Sequence, residues 1–443
     1  MRRITTLRGI LAVVAVLVLC ALTASAPSPV PKVKVIDPAV VKAWQKAGAE
    51  VGWWGQDKYG SWRYFENDPK DPSALPAFRL HQLEDGIIPK LSVPSIPFAL
   101  SVHDLTKMTG AGLRELASLE CLHALDLGGP GFTEDKLKDV AAIKSLRTLY
   151  ITGVCGTKAS FRHLAALKNL TDLGIHHTLQ TEAGLEELAA LKSLTNLNLC
   201  STRLTDGGMK KLARLKGLKK LNLERNDLTD AGVKELVALK CLEALNLNYN
   251  NVWNEGVSEL AGLKMLEHLN LSDSFITDAG LNSLAALGRL QTLDISSTKI
   301  TDAGLKELAA VKGLQSLNLG NTKITGSGLK ALAGCNSLKD LTLGAKVTVA
   351  GLKKVAILRS LQTLHFIGPG VTDAGLRELA PLKKLKNLAL YDTNVTIAGL
   401  KKLVVHENLR TLIIWGPNVT WAESVQLQKL LPGLSIDYND GFR

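Results

Sequence analysis

The sequence predicts an α/β solenoid in which short parallel strands alternate with helices. A triad of spacing L-x-x-L-x-L occurs thirteen times in the 443 residues, at intervals of 24 residues except for one interval of 23. Each triad is followed by a turn and by a segment close to T-D-A-G-L-K-E-L-A-A-L-K. Units this short cannot bury an apolar face alone, so they stack on their neighbours. The triads begin at Leu122, Leu146, Leu170, Leu194, Leu218, Leu242, Leu266, Leu290, Leu314, Leu338, Leu361, Leu385 and Leu409.

One repeat, residues 290–313, shows why each part adopts its predicted structure. Its first residues, L-Q-T-L-D-I, end in the alternation of apolar and polar side chains that is typical of a short strand. Thr301 and Asp302 offer side-chain oxygens to the first free amides of a helix. Leu305 and Leu308 then follow at helical spacing. Repetition of this order predicts a right-handed solenoid with a parallel sheet on its concave face and helices on its convex face.

The segment T-D-A-G-L-K-E-L-A-A-V-K-G-L-Q-S-L-N-L, which starts at Thr301, resembles the 24-residue repeats of bacterial leucine-rich-repeat proteins in the ribonuclease-inhibitor-like group. The resemblance covers residues 100–436, about three quarters of the chain. It specifies the fold and leaves the ligand open, because this family is defined by its scaffold. A glycine recurs at one register inside most of the predicted helices, as at Gly304, at a cost of about 1 kcal/mol against alanine. That recurrence predicts a close approach of neighbouring helices.

The N-terminus indicates export. Arginines, an apolar run and the small residues Ala24-Ser25-Ala26 are typical of a secretory signal peptide. Because Pro27 hinders cleavage, an uncleaved membrane anchor is the alternative. We expect a periplasmic, cell-surface or secreted protein, which contacts a membrane only through such an anchor. The predicted segments are a signal peptide at 1–26, a Pro-rich linker at 27–38, an N-terminal cap at 39–100, repeats at 101–423 and a C-terminal cap at 424–443.

Four of the seven tryptophans lie in the predicted N-terminal cap. A solenoid needs such a cap to cover the open core of its first repeat. The alternative is a separate module that binds a carbohydrate or a peptide. The four residues are Trp44, Trp53, Trp54 and Trp62.

Five cysteines follow the signal peptide, and we expect all of them to be unpaired. Cys121 and Cys241 share a register but lie five repeats apart. At about 4.8 Å per strand this separates them by about 24 Å, beyond disulfide reach. Cys155, Cys200 and Cys335 occupy different registers.

The formal net charge is +12, and much of it recurs at one register near the helix ends. These residues form either a basic ridge for an anionic polymer or membrane surface, or cations that complement the helix dipoles and free carbonyls. No aromatic residues interleave with them, so we expect no nucleic-acid partner. The register holds Lys144, Lys168, Lys192, Lys216, Lys240, Lys264, Lys312, Arg359 and Lys383.

The sequence predicts no enzyme, because it contains no H-E-x-x-H, G-x-S-x-G, Walker, G-x-G-x-x-G or C-x-x-C motif. His176 and Cys200 fall at one concave register in successive repeats. Two ligands do not make a zinc site. We therefore expect no catalytic residue, no cofactor and no bound metal.

Two sets of residues are predicted to lie on the concave face, where a partner would bind. The first is a polar column that either hydrogen-bonds a ligand or forms a ladder within itself. The second is an apolar stripe at the C-terminal end, a candidate hot spot that the C-terminal tail would cover in the alternative arrangement. The column contains Asn198, Asn222, Asn246, Asn270 and Asn318, and the stripe contains Ile367, Tyr391 and Trp415.

A smaller cluster on one rim contains Tyr249, Trp253 and Phe275, which either bind a partner or fill a gap between loops.

Together the features of the sequence predict an exported, monomeric, non-enzymatic scaffold. It would recognise a protein or a glycan through the concave face. The alternative is a structural component of the cell envelope with a passive concave face.

Overall fold

A computed structural model describes residues 35–153, 157–177 and 182–439. The predicted signal peptide and Cys155 lie outside these residues. Within the described ranges, no helix is both long enough and apolar enough to cross a membrane. The chain divides into two compact units, of which the first comprises residues up to 227 together with 238–245, and the second comprises 228–237 together with 246 onwards.

The first unit begins with a helix and an antiparallel hairpin and continues as a parallel ladder. Strand β1 pairs antiparallel with both β2 and β3. From β3 to β9, each strand pairs in parallel with the next. The elements are α1 Pro38–Lys46, β1 Glu50–Gln56, β2 Trp62–Phe65, β3 Leu75–Gln82, a 3-10 helix Ile88–Lys90, β4 Phe98–Asp104, α2 Gly110–Glu115, a 3-10 helix Leu116–Ser118, β5 Leu122–Leu127, a 3-10 helix Glu134–Lys136, α3 Leu137–Val140, β6 Thr148–Thr152, α4 Lys158–Leu164, β7 Asp172–His176, α5 Glu182–Leu188, β8 Asn196–Asn198, α6 Asp206–Leu212 and β9 Lys220–Asn222.

The second unit has the same alternation of strand and helix. Its strands β11 to β18 form a parallel ladder in chain order. Strand β10 contains residues of both units. The elements are α7 Asp230–Leu236, β10 Ala244–Asn246, α8 Asn254–Leu260, β11 His268–Asn270, α9 Asp278–Leu284, β12 Thr292–Asp294, α10 Leu305–Leu308, β13 Ser316–Leu319, a 3-10 helix Ser327–Gly334, β14 Asp340–Leu343, α11 Val349–Val355, β15 Thr363–Ile367, α12 Asp373–Glu378, β16 Asn387–Tyr391, α13 Ile397–Leu400, a 3-10 helix Lys401–Val405, β17 Thr411–Trp415, α14 Trp421–Leu430 and β18 Ser435–Asn439.

Parallel strands alternating with helices in both units confirm the predicted leucine-rich-repeat solenoid. The triad leucines lie in the core between strands and helices, where Leu290 and Leu293 are fully buried. Residues one repeat apart in the sequence lie opposite each other on neighbouring strands, as Leu293 and Leu317 do. We call the opposite side of the sheet, which carries the residues between the leucines, the concave face.

The Thr-Asp pair of the repeat has two roles. The threonine caps the helix of its own repeat, and the aspartate forms hydrogen bonds with the next repeat. The Thr301 hydroxyl accepts from the Ala303 amide at 3.2 Å, as a helix cap does. The Asp302 carboxylate instead accepts from the Thr325 hydroxyl at 2.6 Å and from the Gly328 amide at 2.8 Å. Each such aspartate therefore satisfies the free donors of the next helix start.

The recurrent glycine marks a close approach between helical segments, as predicted. A Cβ atom at Gly328 would lie 2.2 Å from the carbonyl oxygen of Asp302, so a side chain there would force backbone movement. The single 23-residue interval is absorbed in a turn. The ladder continues across it, because Asp340 pairs with Thr363.

The prediction of five unpaired cysteines is wrong for Cys241, which is disulfide-bonded. Cys121, Cys200 and Cys335 are free thiols. The spacing of the strands separates Cys121 and Cys241, which share a register, beyond disulfide reach. It sets no such limit on a bond between cysteines at different registers.

Helix α1 covers the core-facing side of the first parallel strands. Trp44 is fully buried and stacks on Phe78 of β3, with 4.4 Å between ring centroids. Its ring also meets Phe98 of β4 edge-on at 6.0 Å. Its indole N–H donates to the Ser92 carbonyl at 2.9 Å. Trp44 is therefore a core residue and not a surface for a ligand.

Candidate binding faces of the sheet

In the first unit, the hairpin of β1 and β2 lies across the concave face. Trp54 on β1 is buried in a cluster with Ala77, Ala99, Ala124 and Tyr150. Its ring meets the Tyr150 ring edge-on, with 6.2 Å between centroids. The three alanines come from β3, β4 and β5 at one register. This column of small residues leaves room for an indole ring above the sheet.

Tyr150 fixes the tip of that hairpin, residues 57–61. Its hydroxyl donates to the Gly60 carbonyl at 2.9 Å and accepts from the Trp62 amide at 3.2 Å. Burial raises the pKa of the Tyr150 phenol, which keeps it protonated as a donor. The ring lies so close to β7 that a Cβ at Gly174 would fall 2.3 Å from it.

The hairpin tip also engages two members of the predicted polar column. The side-chain amides of Asn198 and Asn222 both donate to the Ser61 hydroxyl, at 2.9 and 3.0 Å. Both asparagines are buried, with 2% and 3% of their surface exposed. In this arrangement their donors belong to the chain's own hairpin, not to an external ligand.

Charged groups at the edge of the hairpin complete the contact. The Trp62 indole N–H donates to the Asp172 carboxylate at 3.3 Å. Lys220 donates to the Gln56 side-chain oxygen at 2.5 Å. Burial lowers the pKa of the Lys220 ammonium, while Asp172 acts in the opposite direction. The hairpin thus contacts strands β3 to β9 of its own unit.

The asparagine column has a structural role throughout. In each case the side-chain oxygen accepts from the backbone amide two residues later, which stabilises the turn after the strand. This bond occurs at Asn198, Asn222, Asn246, Asn270 and Asn318, with distances of 2.9 to 3.0 Å. Adjacent side chains also pair, since Asn318 donates to Asp294 at 2.8 Å. These contacts are those of the predicted internal ladder.

In the second unit, the structure brings the stripe residues together on the concave face. Ile367 pairs with Tyr391, and Tyr391 pairs with Trp415, on strands β15 to β17. Ile367 and Trp415 expose 43% and 42% of their surface, and Tyr391 is half-buried. The described part of the C-terminal segment therefore leaves the stripe open.

The stripe has a defined ring geometry. The Tyr391 and Trp415 rings are 5.3 Å apart and inclined at 82°, and His365 meets Tyr391 edge-on at 6.3 Å. Burial, and secondarily the Asp437 carboxylate, raises the pKa of the Tyr391 phenol. Burial lowers the pKa of the His365 imidazole. At neutral pH both rings are therefore uncharged, with the Asp340 carboxylate near His365 and the Asp437 carboxylate near Tyr391.

The rim cluster is a stacked pair beside a lysine. The Trp253 and Phe275 rings are 4.8 Å apart and nearly parallel, at 17°. The Lys299 ammonium lies 5.7 Å from the Trp253 ring and 5.9 Å from the Phe275 ring. Tyr249 is 50% exposed at a positive φ of 53°. Trp253 occupies an N-cap position without a capping side chain, so helix formation does not require it.

Three lysines of the basic register near the helix ends donate hydrogen bonds to backbone carbonyls. Lys192 donates to the Ala189 carbonyl at 2.5 Å and to the Arg214 carbonyl at 3.2 Å. Lys264 and Lys383 likewise reach carbonyls of the following repeat, at 3.2 and 3.3 Å. These contacts favour the helix-end interpretation of the register over a free basic ridge.

One polar cluster in the first unit was not expected from the sequence. The Ser101 hydroxyl donates to Asp126 at 2.8 Å and lies 2.8 Å from Nε2 of His103. The same Nε2 lies 3.6 Å from the Asp126 carboxylate. A catalytic relay places serine and aspartate on opposite imidazole nitrogens, so this arrangement lacks the relay geometry. Ser101 and His103 lie on β4 and Asp126 lies on β5, so the sequence shows no linear motif for it.

Comparisons with known proteins agree with the fold. Two models described as leucine-rich repeat match residues 192–252 and residues 262–285, 290–309 and 314–333. No curated protein matches the sequence.

Two solved bacterial structures are similar to the chain. An internalin, InlF, from Listeria monocytogenes is 23% identical, with 74% of this chain and 87% of the internalin covered and a TM-score of 0.52. A leucine-rich-repeat protein from Leptospira interrogans is 22% identical, with 81% and 93% covered and a TM-score of 0.53. At these identities the likeness establishes the fold alone.

Proposed function

Since the chain is a leucine-rich-repeat protein, we propose that it is an exported, non-enzymatic scaffold that binds a protein or a glycan through the concave face of its second unit. The scaffold is suited to partner binding, because adjacent strands present side chains in fixed columns on one open sheet. Export is proposed from the signal-like residues 1–26.

The observation that carries the proposal is the open stripe of Ile367, Tyr391 and Trp415. Scaffold requirements do not explain these side chains, because the same column holds Ser296, Gly320 and other small residues in earlier repeats. Large, partly exposed aromatic residues with few rotatable bonds are typical of interface hot spots.

The test is direct binding of the wild-type protein and a Tyr391→Ala/Trp415→Ala double variant to arrayed peptides, surface proteins and glycans. For the ligand that the wild type binds, we expect the variant to lose about 2 kcal/mol or more, roughly 30-fold in affinity. Trp421→Ala is the matched control, since Trp421 is 69% exposed on α14 outside the stripe. Equal binding by all three proteins would contradict the proposed site.

A further inference from the structure

We propose that the partner of the stripe is a protein segment that carries acidic side chains beside apolar ones. This inference rests on the proposed function and names the chemistry of the ligand at the same face. It follows from a second column of residues on strands β14 to β17 and from the inclination of the stripe's rings.

The second column is basic and lies at the start of the strands. Lys339, Lys386 and Arg410 are exposed there, with Gln362 between the first two. Backbone bonds fix their register, because the Arg410 amide donates to the Lys386 carbonyl and the Lys386 amide donates to the Gln362 carbonyl, both at 2.7 Å. Among the described residues, no carboxylate lies within 4 Å of these three cations.

In the four repeats from Lys219 to Gln291 the same column holds internal ion pairs and hydrogen bonds instead. Lys219 forms an ion pair with Glu243 at 3.1 Å. Glu267 accepts a hydrogen bond from Gln291 at 3.0 Å, and Gln291 in turn accepts one from Gln315 at 3.1 Å.

In the later repeats, Lys339 and Lys386 are exposed and lack such a side-chain partner among the described residues, whereas the Arg410 guanidinium donates to the Glu407 and Leu409 carbonyls at 3.0 and 3.2 Å. None of the three charges is neutralised by a carboxylate there, which leaves them available to an external anion.

Basic column and stripe lie at opposite ends of the same strands. Lys386 immediately precedes β16 and Tyr391 ends it, so they are five residues apart, about 16 Å at 3.3 Å per residue. Between the two ends, Ala389 is small and buried and Ile413 is apolar and half-buried. A ligand that covers this width needs an apolar centre and a negative edge. Along the strands, an amphipathic helix of about eleven residues at 1.5 Å per residue, or an extended segment of about five residues at 3.3 Å, spans this distance.

The charges of the face determine over which end of the strands the acidic edge of the ligand would lie. Asp437 pairs with Ile413 between the two ends, and its charge acts on Tyr391, so it would repel a carboxylate placed over the centre or the aromatic end. The basic column attracts one at the other end. Complementary charge of this kind orients a partner and accelerates its association more than it adds affinity.

The ring geometry favours a protein over a glycan. A pyranose ring binds by laying its C–H face flat on an aromatic face, and a glycan chain needs successive flat platforms. Tyr391 and Trp415 are inclined at 82° instead and form a corner. A corner of this shape accommodates an aliphatic or aromatic side chain, which can meet one ring by its face and the other by its edge.

The experiment measures binding of the full chain to an array of random 16-residue peptides and to a glycan array, at low and high salt. Two charge-reversal variants are compared with the wild type and with Tyr391→Ala/Trp415→Ala. One carries Lys339→Glu, Lys386→Glu and Arg410→Glu. The matched control carries Lys330→Glu, Lys353→Glu and Arg377→Glu, which change the same charges at exposed positions on helical segments.

We expect the bound peptides to combine Asp or Glu with Leu, Phe or Trp, and to bind more weakly as salt increases. The concave charge reversal should weaken them at least tenfold, whereas the control should change affinity less than twofold. Two results would overturn this inference and leave the proposed function standing. In the first, binding depends on the aromatic pair but is unchanged by the concave charge reversal. In the second, the protein binds glycans and no peptides. Binding indifferent to the aromatic pair would overturn both.

Discussion

The concave faces of the two units differ in what covers them. In the first unit, the floor at β3 to β7 consists of small residues such as Ala99 and Gly174, and the chain's own hairpin fills the space above it. In the second unit, the equivalent face carries Tyr391 and Trp415, which stand open. In the first unit the small residues leave room that the chain's own hairpin fills, and in the second unit the large residues lie where we propose that a partner binds.

The polar groups show the same difference. In the first unit, Tyr150 and Asn198 direct their polar atoms at the hairpin tip, so their hydrogen-bonding capacity is used within the fold. In the second unit, the cations of the basic column at Lys386 and Arg410 have no carboxylate partner among the described residues. The first arrangement contributes to stability, and the second leaves charge available for recognition.

The largest expected effect comes from removing the hairpin's anchor. Trp54→Ala deletes a ring that is 5% exposed against the alanine column, and truncating a buried tryptophan costs about 3–5 kcal/mol. We expect the hairpin to lose protection from amide hydrogen exchange at residues 50–65, together with a lower free energy of unfolding for the first unit. Trp53→Ala, at the half-buried neighbouring position, is the control and should cost clearly less.

If Trp54→Ala left exchange at the hairpin tip unchanged, the hairpin would be held by its hydrogen bonds alone. The comparison between a self-occupied face and an open face would then rest on Tyr150 and Ser61 and not on the small-residue floor.

A second, smaller effect depends on pH. Burial lowers the pKa of the His176 imidazole from 6.5 to about 4, with His177 adding to the shift. Because the folded state favours the neutral ring, its contribution is fully present above pH 6.5 and is lost as pH falls through 6.5 towards 4. The shift corresponds to a loss of about 3 kcal/mol at most.

His176→Phe provides the measurement, since it keeps a ring against Tyr150, whose centroid lies 5.3 Å away. Denaturant unfolding of both proteins from pH 7.5 to 4 should show a steeper loss for the wild type, and the difference isolates this histidine from the other titrating groups. Parallel curves for the two proteins would show that His176 does not titrate below its ordinary range.

Repeat periodicity was enough to predict the strands, helices and register, because each repeat has the same neighbours on both sides. The placement of Ile367, Tyr391 and Trp415 on adjacent strands followed from the same periodicity. The hairpin over the concave face was not predicted, because contacts such as that of Ser61 with Asn222 join residues 161 positions apart without any repeat relation. The small residues of the alanine column and Gly174 were the sequence feature that could have indicated a segment packed over this face.

The smallest expected effect is on the stability of the open face. Trp415 leaves 42% of its surface exposed and Tyr391 is half-buried, so each loses little buried area when truncated. We expect Tyr391→Ala and Trp415→Ala each to lower the free energy of unfolding by about 1 kcal/mol or less. Urea unfolding of the two single variants beside Trp54→Ala provides the measurement. A loss of binding with so small a loss of stability is what a recognition surface requires. A loss comparable to that of Trp54→Ala would instead identify the stripe as packing, and the two faces would then differ only in which part of the chain stabilises them.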